Sequence, residues 1–148
     1  MTGAVSFAVF GVPRPKGSKR AFIPKGGTRP VMVESAGENL RDWMTALHAV
    51  AQEHAPRALT GALRVDVRFA MPRPKSHYRA SGALKDGVPT HRAKSPDVDK
   101  LLRAVLDALE GPLFANDAQV VEISGEKTYS DDATRCGAYI TVGPIEEG

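Results

Sequence analysis

The chain has 148 residues, 42% of them hydrophobic and 25% charged, with a formal net charge of +3. Those values fit one soluble globular domain over residues 1–148, and the single cysteine, Cys136, excludes a disulfide framework or a Cys-rich zinc site within the chain. No apolar run approaches the roughly 20 residues of a membrane span, and the opening MTGAVSFAVFGVPRPKG lacks a basic n-region and cleavage site, so a cytoplasmic protein is expected.

In chain order, Val5 to Gly11 (VSFAVFG) has the β-branched and aromatic content of a short strand. The segment PRPKGSKRAFIPKGGTRP holds four prolines and three glycines and reads as a loop or irregular arm. Ser35 with Glu38 three residues on is a capping box for a helix over about Gly37 to His54, whose apolar stripe is Leu40, Trp43, Leu47, Val50 and Ala51. Leu63 to Met71 (LRVDVRFAM) alternates apolar and polar residues as a strand with one core face does. A loop of about 25 residues follows, a length that signals function or mobility. A second helix is expected over Val98 to Leu109, apolar around much of its circumference and stopped at Gly111-Pro112. Ala118 to Tyr129 and Gly137 to Val142 read as strands, expected to pair as an antiparallel hairpin around Ser130-Asp131-Asp132. The order β-α-β-α-β-β implies a mixed α+β domain, one sheet with two helices packed against it.

Charge is segregated. Six basic residues and no acid lie between Val12 and Val33, namely Arg14, Lys16, Lys19, Arg20, Lys25 and Arg29. Six more lie between Pro72 and Pro96 (Arg73, Lys75, Arg79, Lys85, Arg92, Lys94) against one acid, Asp86. Two basic loops, at about 12–33 and 72–96, beside an otherwise acidic chain suggest a positive surface facing a polyanion around a separate acidic centre.

The segment SPDVDKLLR, Ser95 to Arg103, is where that centre is written. Residues two apart do not face each other on a helix, so Asp97 and Asp99 converge only where Pro96 keeps the backbone extended at the helix mouth. There they suit one hard divalent cation, or one of them merely caps the helix. Arg103 and Asp107 continue an acid–base–acid row from Asp99 at four-residue steps. Asn116-Asp117 precedes the next strand, placed either to complete a carboxylate cluster or to make a plain Asx turn. His48, His54, His77 and His91 show no metal-ligand spacing, and Trp43 reads as helix core.

The stretch KSPDVDKLLRAVLDALEGPLFANDAQVVEISGEK, Lys94 to Lys127, resembles the core of the RusA family of Holliday junction resolvases. The family pattern is D-x-D-N-L-x-K, then D-A-L, then D-D-A-Q-V-V, with a Lys ending the strand. The opening VFGVPRPKGSKR resembles that family's first strand and basic turn. The resemblance implies a homodimeric, Mg²⁺-dependent crossover junction endodeoxyribonuclease (Mn²⁺ as possible substitute) without a small-molecule cofactor, acting on branched DNA in recombination and repair, of bacterial or phage origin. It also implies Asp97, Asp99 and Asp117 as catalytic metal ligands and Arg103 as the functional cation, oriented by Asp107. Arg14, Lys16, Lys19, Arg20, Lys25, Arg29, Arg73, Lys75, Arg92, Lys94 and Lys100 form the expected DNA-binding set. The sequence departs from the pattern at Lys100 (Asn in the family), Arg103 (Lys) and Asn116 (Asp). The rival expectations are a branched-DNA binder of the same fold that does not cut, and a phage nuclease for forks or flaps.

Overall fold

A computed structural model describes residues 3–17, 19–22, 26, 31–34, 37–55 and 57–145, with the backbone alone for 19–22, 31–34, 37 and 38. Its elements are β1 (Val5–Phe10), β2 (Lys19–Phe22), β3 (Val31–Glu34), α1 (Gly37–His54), β4 (Leu63–Pro72), α2 (Val98–Leu109), β5 (Val120–Ser130) and β6 (Gly137–Pro144). One four-stranded sheet runs in the order β1-β6-β4-β5, and β2 and β3 form a separate antiparallel pair. The mixed α+β domain expected from the order of elements is therefore the one observed. None of the described helices is long and apolar enough to cross a membrane.

Periodicity explains the layers. On β4, Leu63, Val65, Val67 and Phe69 are buried under the helices, while Arg64, Asp66 and Arg68 stand on the opposite face. Leu40, Trp43, Leu47 and Ala51 of α1 close the same core with Leu101, Ala104, Val105, Ala108 and Leu109 of α2. Each large aliphatic side chain fully buried there contributes about 1.5–3 kcal/mol. At Gly125 of β5, an added Cβ would lie 2.8 Å from Leu102 Cδ1, so glycine is what lets α2 approach this strand. Leu102 and Leu106, part of the apolar circumference of α2, are only half-buried and line a cavity.

Two expectations are corrected. The segment after β1 is not wholly irregular, since it contains the β2–β3 pair; the β-branched and aromatic residues at its two ends outweigh the prolines between them. And β5 does not pair with β6. Strand β4 lies between them, parallel to β5 and antiparallel to β6. A parallel partner needs a long crossover, which α2 supplies. The connection to β6 then steps past the end of β4 through a 3-10 turn at Ala133–Arg135, capped by Asp132 accepting from the Thr134 amide at 2.9 Å. Ser35, the expected cap of α1, lies outside the described residues.

Candidate active site

The mouth of α2 is held by a lysine. Lys127, on β5, donates from Nζ to the carbonyls of Lys94 and Pro96, each at 2.7 Å. The end of the 72–96 loop is thereby strapped to β5, with further backbone bonds from Arg92 N to Lys127 O (3.2 Å) and from Tyr129 N to Thr90 O (2.8 Å). Asp97 then sits extended at φ −69°, ψ 139°, and the helix begins at Val98. Pro96 and the strap thus impose the change from extended to helical backbone on which a D-x-D convergence depends.

Asp97 occupies the capping position, yet its side chain makes no capping bond. Its carboxylate is instead 3.6 Å from Lys100 Nζ and largely exposed. Asp99 stands exposed in the first turn. Neither carboxylate is therefore used to cap the helix, although both gain from its positive end.

Asp117 arrives from the other end of α2. Gly111, at φ +107°, turns the chain after the helix, and the Asp117 amide donates to Glu110 Oε2 at 2.8 Å. Asn116 Oδ1 accepts from Ala118 N at 2.8 Å and caps the short 3-10 turn Asp117–Gln119. Gln119 staples the whole bend: Oε1 accepts from the amides of Ala115 and Asn116, both at 3.1 Å, and Nε2 donates to the carbonyls of Leu59 (3.2 Å) and Gly61 (3.1 Å). The Asp117 carboxylate, by contrast, makes no hydrogen bond or ion pair among the described residues.

The two ends of α2 meet in a cavity of 460 Å³. Asp99, Arg103 and Asp107, one helical row, line it together with Asp117, over Leu102, Leu106 and Ile123. Asp97 is not in that lining, and among the described residues no group of three or more Asp, Glu, His or Cys is arranged to hold a metal ion. The expected gathering of three aspartates is thus corrected to two in one cavity, with Asp97 beside it and drawn toward Lys100. The donor set still fits Mg²⁺, which uses one or two carboxylates and takes its remaining ligands from water and substrate phosphate. No histidine or thiol joins Asp99 and Asp117 to favour zinc.

The basic residues divide by what already holds them. Arg73 is withdrawn from the phosphate-binding set: its side chain is 5% exposed, and it donates to Asp131 Oδ1 (2.7 Å), Pro89 O (2.8 Å) and His77 Nδ1 (3.1 Å) while lying over the Tyr129 ring. It builds the loop it was expected to arm. Arg92 is half-buried and donates to Ser95 O at 2.8 Å, beside the strap. Lys75 and Lys94 are exposed on the same loop. Arg14 lines a small cavity of 240 Å³ with Asp42 and Trp43 of α1. Lys16 is paired with Asp107, so Asp107 is engaged by Lys16 rather than by Arg103 as expected. Lys19 and Arg20 fall on β2 without described side chains, and Lys25 and Arg29 lie outside the described residues. His91 pairs with Glu126 at 3.1 Å and His54 stacks on Phe7, so neither approaches the carboxylates.

Sequence reasoning assigned no role to three residues of this site: Lys127 and Gln119, which the family pattern carries only as letters, and Glu110. Lys127 had a signal, since it sits at even spacing from Gly125 and Ile123 on the helix-facing side of β5, where an unpaired lysine needs acceptors. Glu110 and Gln119 act through main-chain partners, which no side-chain motif reveals.

The family described as "Endodeoxyribonuclease RusA" matches residues 13–142. A protein of Bacillus subtilis (strain 168), described as "Uncharacterized protein YqaN", is 31% identical over 132 residues, covering 86% of this chain and 89% of its own length.

Proposed function

Since the chain belongs to the RusA endodeoxyribonuclease family, we propose that it is a Mg²⁺-dependent resolvase that cuts four-way DNA junctions by paired phosphodiester hydrolysis. The observation that carries this reading is the pair of uncommitted carboxylates, Asp99 and Asp117, brought from opposite ends of α2 into one cavity with Arg103. A purely structural role would have engaged these side chains as it engaged Asn116, Gln119 and Arg73.

Asp99 and Asp117 would hold the metal, with Asp97 next to them as a third acid for a substrate-loaded site. A bound Mg²⁺ supplies an acidified water and polarisation of the phosphate. Arg103 lines the same cavity, where its planar fork would suit two phosphate oxygens and stabilise charge that grows during displacement. Leu102, Leu106 and Ile123 form an apolar floor, which strengthens every charge interaction above it. Lys75, Lys94 and Arg14, with the residues of the β2–β3 arm, would meet phosphates on either side, which positions a branch without reading its bases. Paired cuts on two strands require two such sites, hence a homodimer with two-fold symmetry.

Asn116, which stands where the family pattern has Asp, uses Oδ1 to cap the turn, and Asn caps about as well as Asp. The test is incubation of labelled four-way junctions, forks and linear duplex with Mg²⁺. Symmetric nicks confined to junctions are expected, with Asp99→Asn and Asp117→Asn losing at least a hundredfold in cutting while still binding. Binding without cuts by the wild type favours the non-catalytic binder, and equal cutting of forks favours the broader nuclease.

A further inference from the structure

Among the described residues, the basic arm is fastened to α2 through Lys16. Its backbone amide donates to Lys100 O at 3.0 Å, and its ammonium pairs with Asp107, whose carboxylate borders the cavity that holds Asp99, Arg103 and Asp117. Lys16 therefore touches α2 near its start and again toward its end, at a residue that lines the cavity. The chain leading to it is seated as well: Pro13 is buried, and Gly11, Val12 and Arg14 lie against Asn39, Asp42 and Trp43 of α1. Strand β2 begins three residues after Lys16. The root of the arm is thus bonded to a residue that lines the candidate active site.

We infer that Lys16 is a positioning residue, which through Asp107 fixes the β2–β3 arm in register with the catalytic cavity, so that DNA held by the arm presents its phosphate to Asp99 and Asp117. The inference rests on the nuclease reading above and assigns Lys16 and Asp107 a role other than phosphate binding and Arg103 orientation. A lysine whose ammonium is bonded to a carboxylate offers a phosphate less than a free one does. Asp107 without its cation would add an unbalanced negative charge beside the incoming phosphate.

The experiment compares Lys16→Met, Asp107→Asn, their double variant, Lys16→Arg and the exchanged pair Lys16→Asp/Asp107→Lys. Cutting of a four-way junction in Mg²⁺ is measured at saturating DNA, with junction binding measured across a salt series. Each single variant is expected to lose about tenfold in turnover, the double variant no more than either single, and the salt slope is expected to equal that of the wild type. Lys16→Arg or the exchanged pair should recover at least half of the lost turnover, which a packing defect would not allow. Additive losses, or a slope lowered by about 0.9, the value for one lost phosphate contact, would overturn the inference in favour of direct DNA contact. A wild type that binds but never cuts would overturn both readings, whereas a cutting wild type with unaffected variants overturns this one alone.

Discussion

Replacing Lys127 by Met keeps most of the side chain's volume and removes its three donors. Two of those donors hold Lys94 O and Pro96 O at 2.7 Å, the two carbonyls that bracket the approach to Asp97. A hydrogen bond from a charged group contributes about 1.5–3 kcal/mol where water competes little. Lys127 is half-buried, so the pair together is worth about 2–3 kcal/mol rather than the full sum. At this chain length, each kcal/mol moves Tm by about 2–4 °C, so Lys127→Met should lower Tm by roughly 5–10 °C. The effect on cutting should be larger than the effect on folding. Freed from β5, the residues before α2 relax, and a displacement of about 1 Å at Asp97 and Asp99 costs on the order of a hundredfold in rate. Thermal unfolding and junction cutting at a temperature where the variant is fully folded separate the two effects. A Tm within about 1 °C of wild type, together with turnover within a factor of about two, would refute the idea that this strap sets the carboxylates.

Four further outcomes follow from particular contacts. Gly125→Ala places a methyl group 2.8 Å from Leu102 Cδ1 and 3.1 Å from Val98 Cγ2, and should destabilise by about 1–3 kcal/mol in urea titration, with Gly125→Val worse. Arg73→Met should lower stability yet leave the salt slope of junction binding unchanged, whereas Lys94→Met should flatten the slope by about 0.9 while leaving Tm nearly intact. Asn116→Asp should change stability by less than about 0.5 kcal/mol and leave cutting unaltered, since either side chain caps the turn. Burial, with the cations of Arg73, Lys94 and Lys85 nearby, pushes the His77 pKa below its ordinary 6.5. The unfolded chain thus binds a proton that the folded one refuses, so stability falls as pH drops below 6.5 and recovers above it; His77→Gln should flatten that part of a stability–pH curve.

Much of the site was legible because it is local. Asp99, Arg103 and Asp107 lie on one helix, with Asp97 at its capping position, and the bounds of that helix follow from its own apolar pattern and from Pro96 and Gly111. Asp117 was legible as an acid at the start of a strand, but its approach to Asp99 depends on how β5 packs on α2, which Gly125 decides. The partners of β4 were less legible. Its alternation tells which face is buried and says nothing about which strands flank it, and short turn residues at 130–132 imitate a hairpin whose strands are in fact separated by β4. Net charge misled at Arg73 for a related reason: composition counts cations, while burial and a partner such as Asp131 decide which of them face solvent. Lys16 is the intermediate case, a cation at the surface that is already paired.

The arrangement also explains why basic and acidic residues occupy separate stretches of chain. A cavity lined by Asp99, Asp107 and Asp117 repels a polyphosphate unless positive charge is placed around it by elements that do not share its helix. Both basic segments meet that need by being fixed next to α2, the first through Lys16 on Lys100 O and Asp107, the second by leading into α2 with its end strapped to β5 through Lys127 on the carbonyls just before Asp97. Main-chain carbonyls accept most of these bonds, so the anchoring tolerates changes of side chain on α2 and leaves Asp99 and Asp117 without internal partners. Two long connections, which a domain of this size would otherwise trim, are thereby fixed beside α2, and on the proposed function loosening either anchor should weaken cutting before it weakens binding.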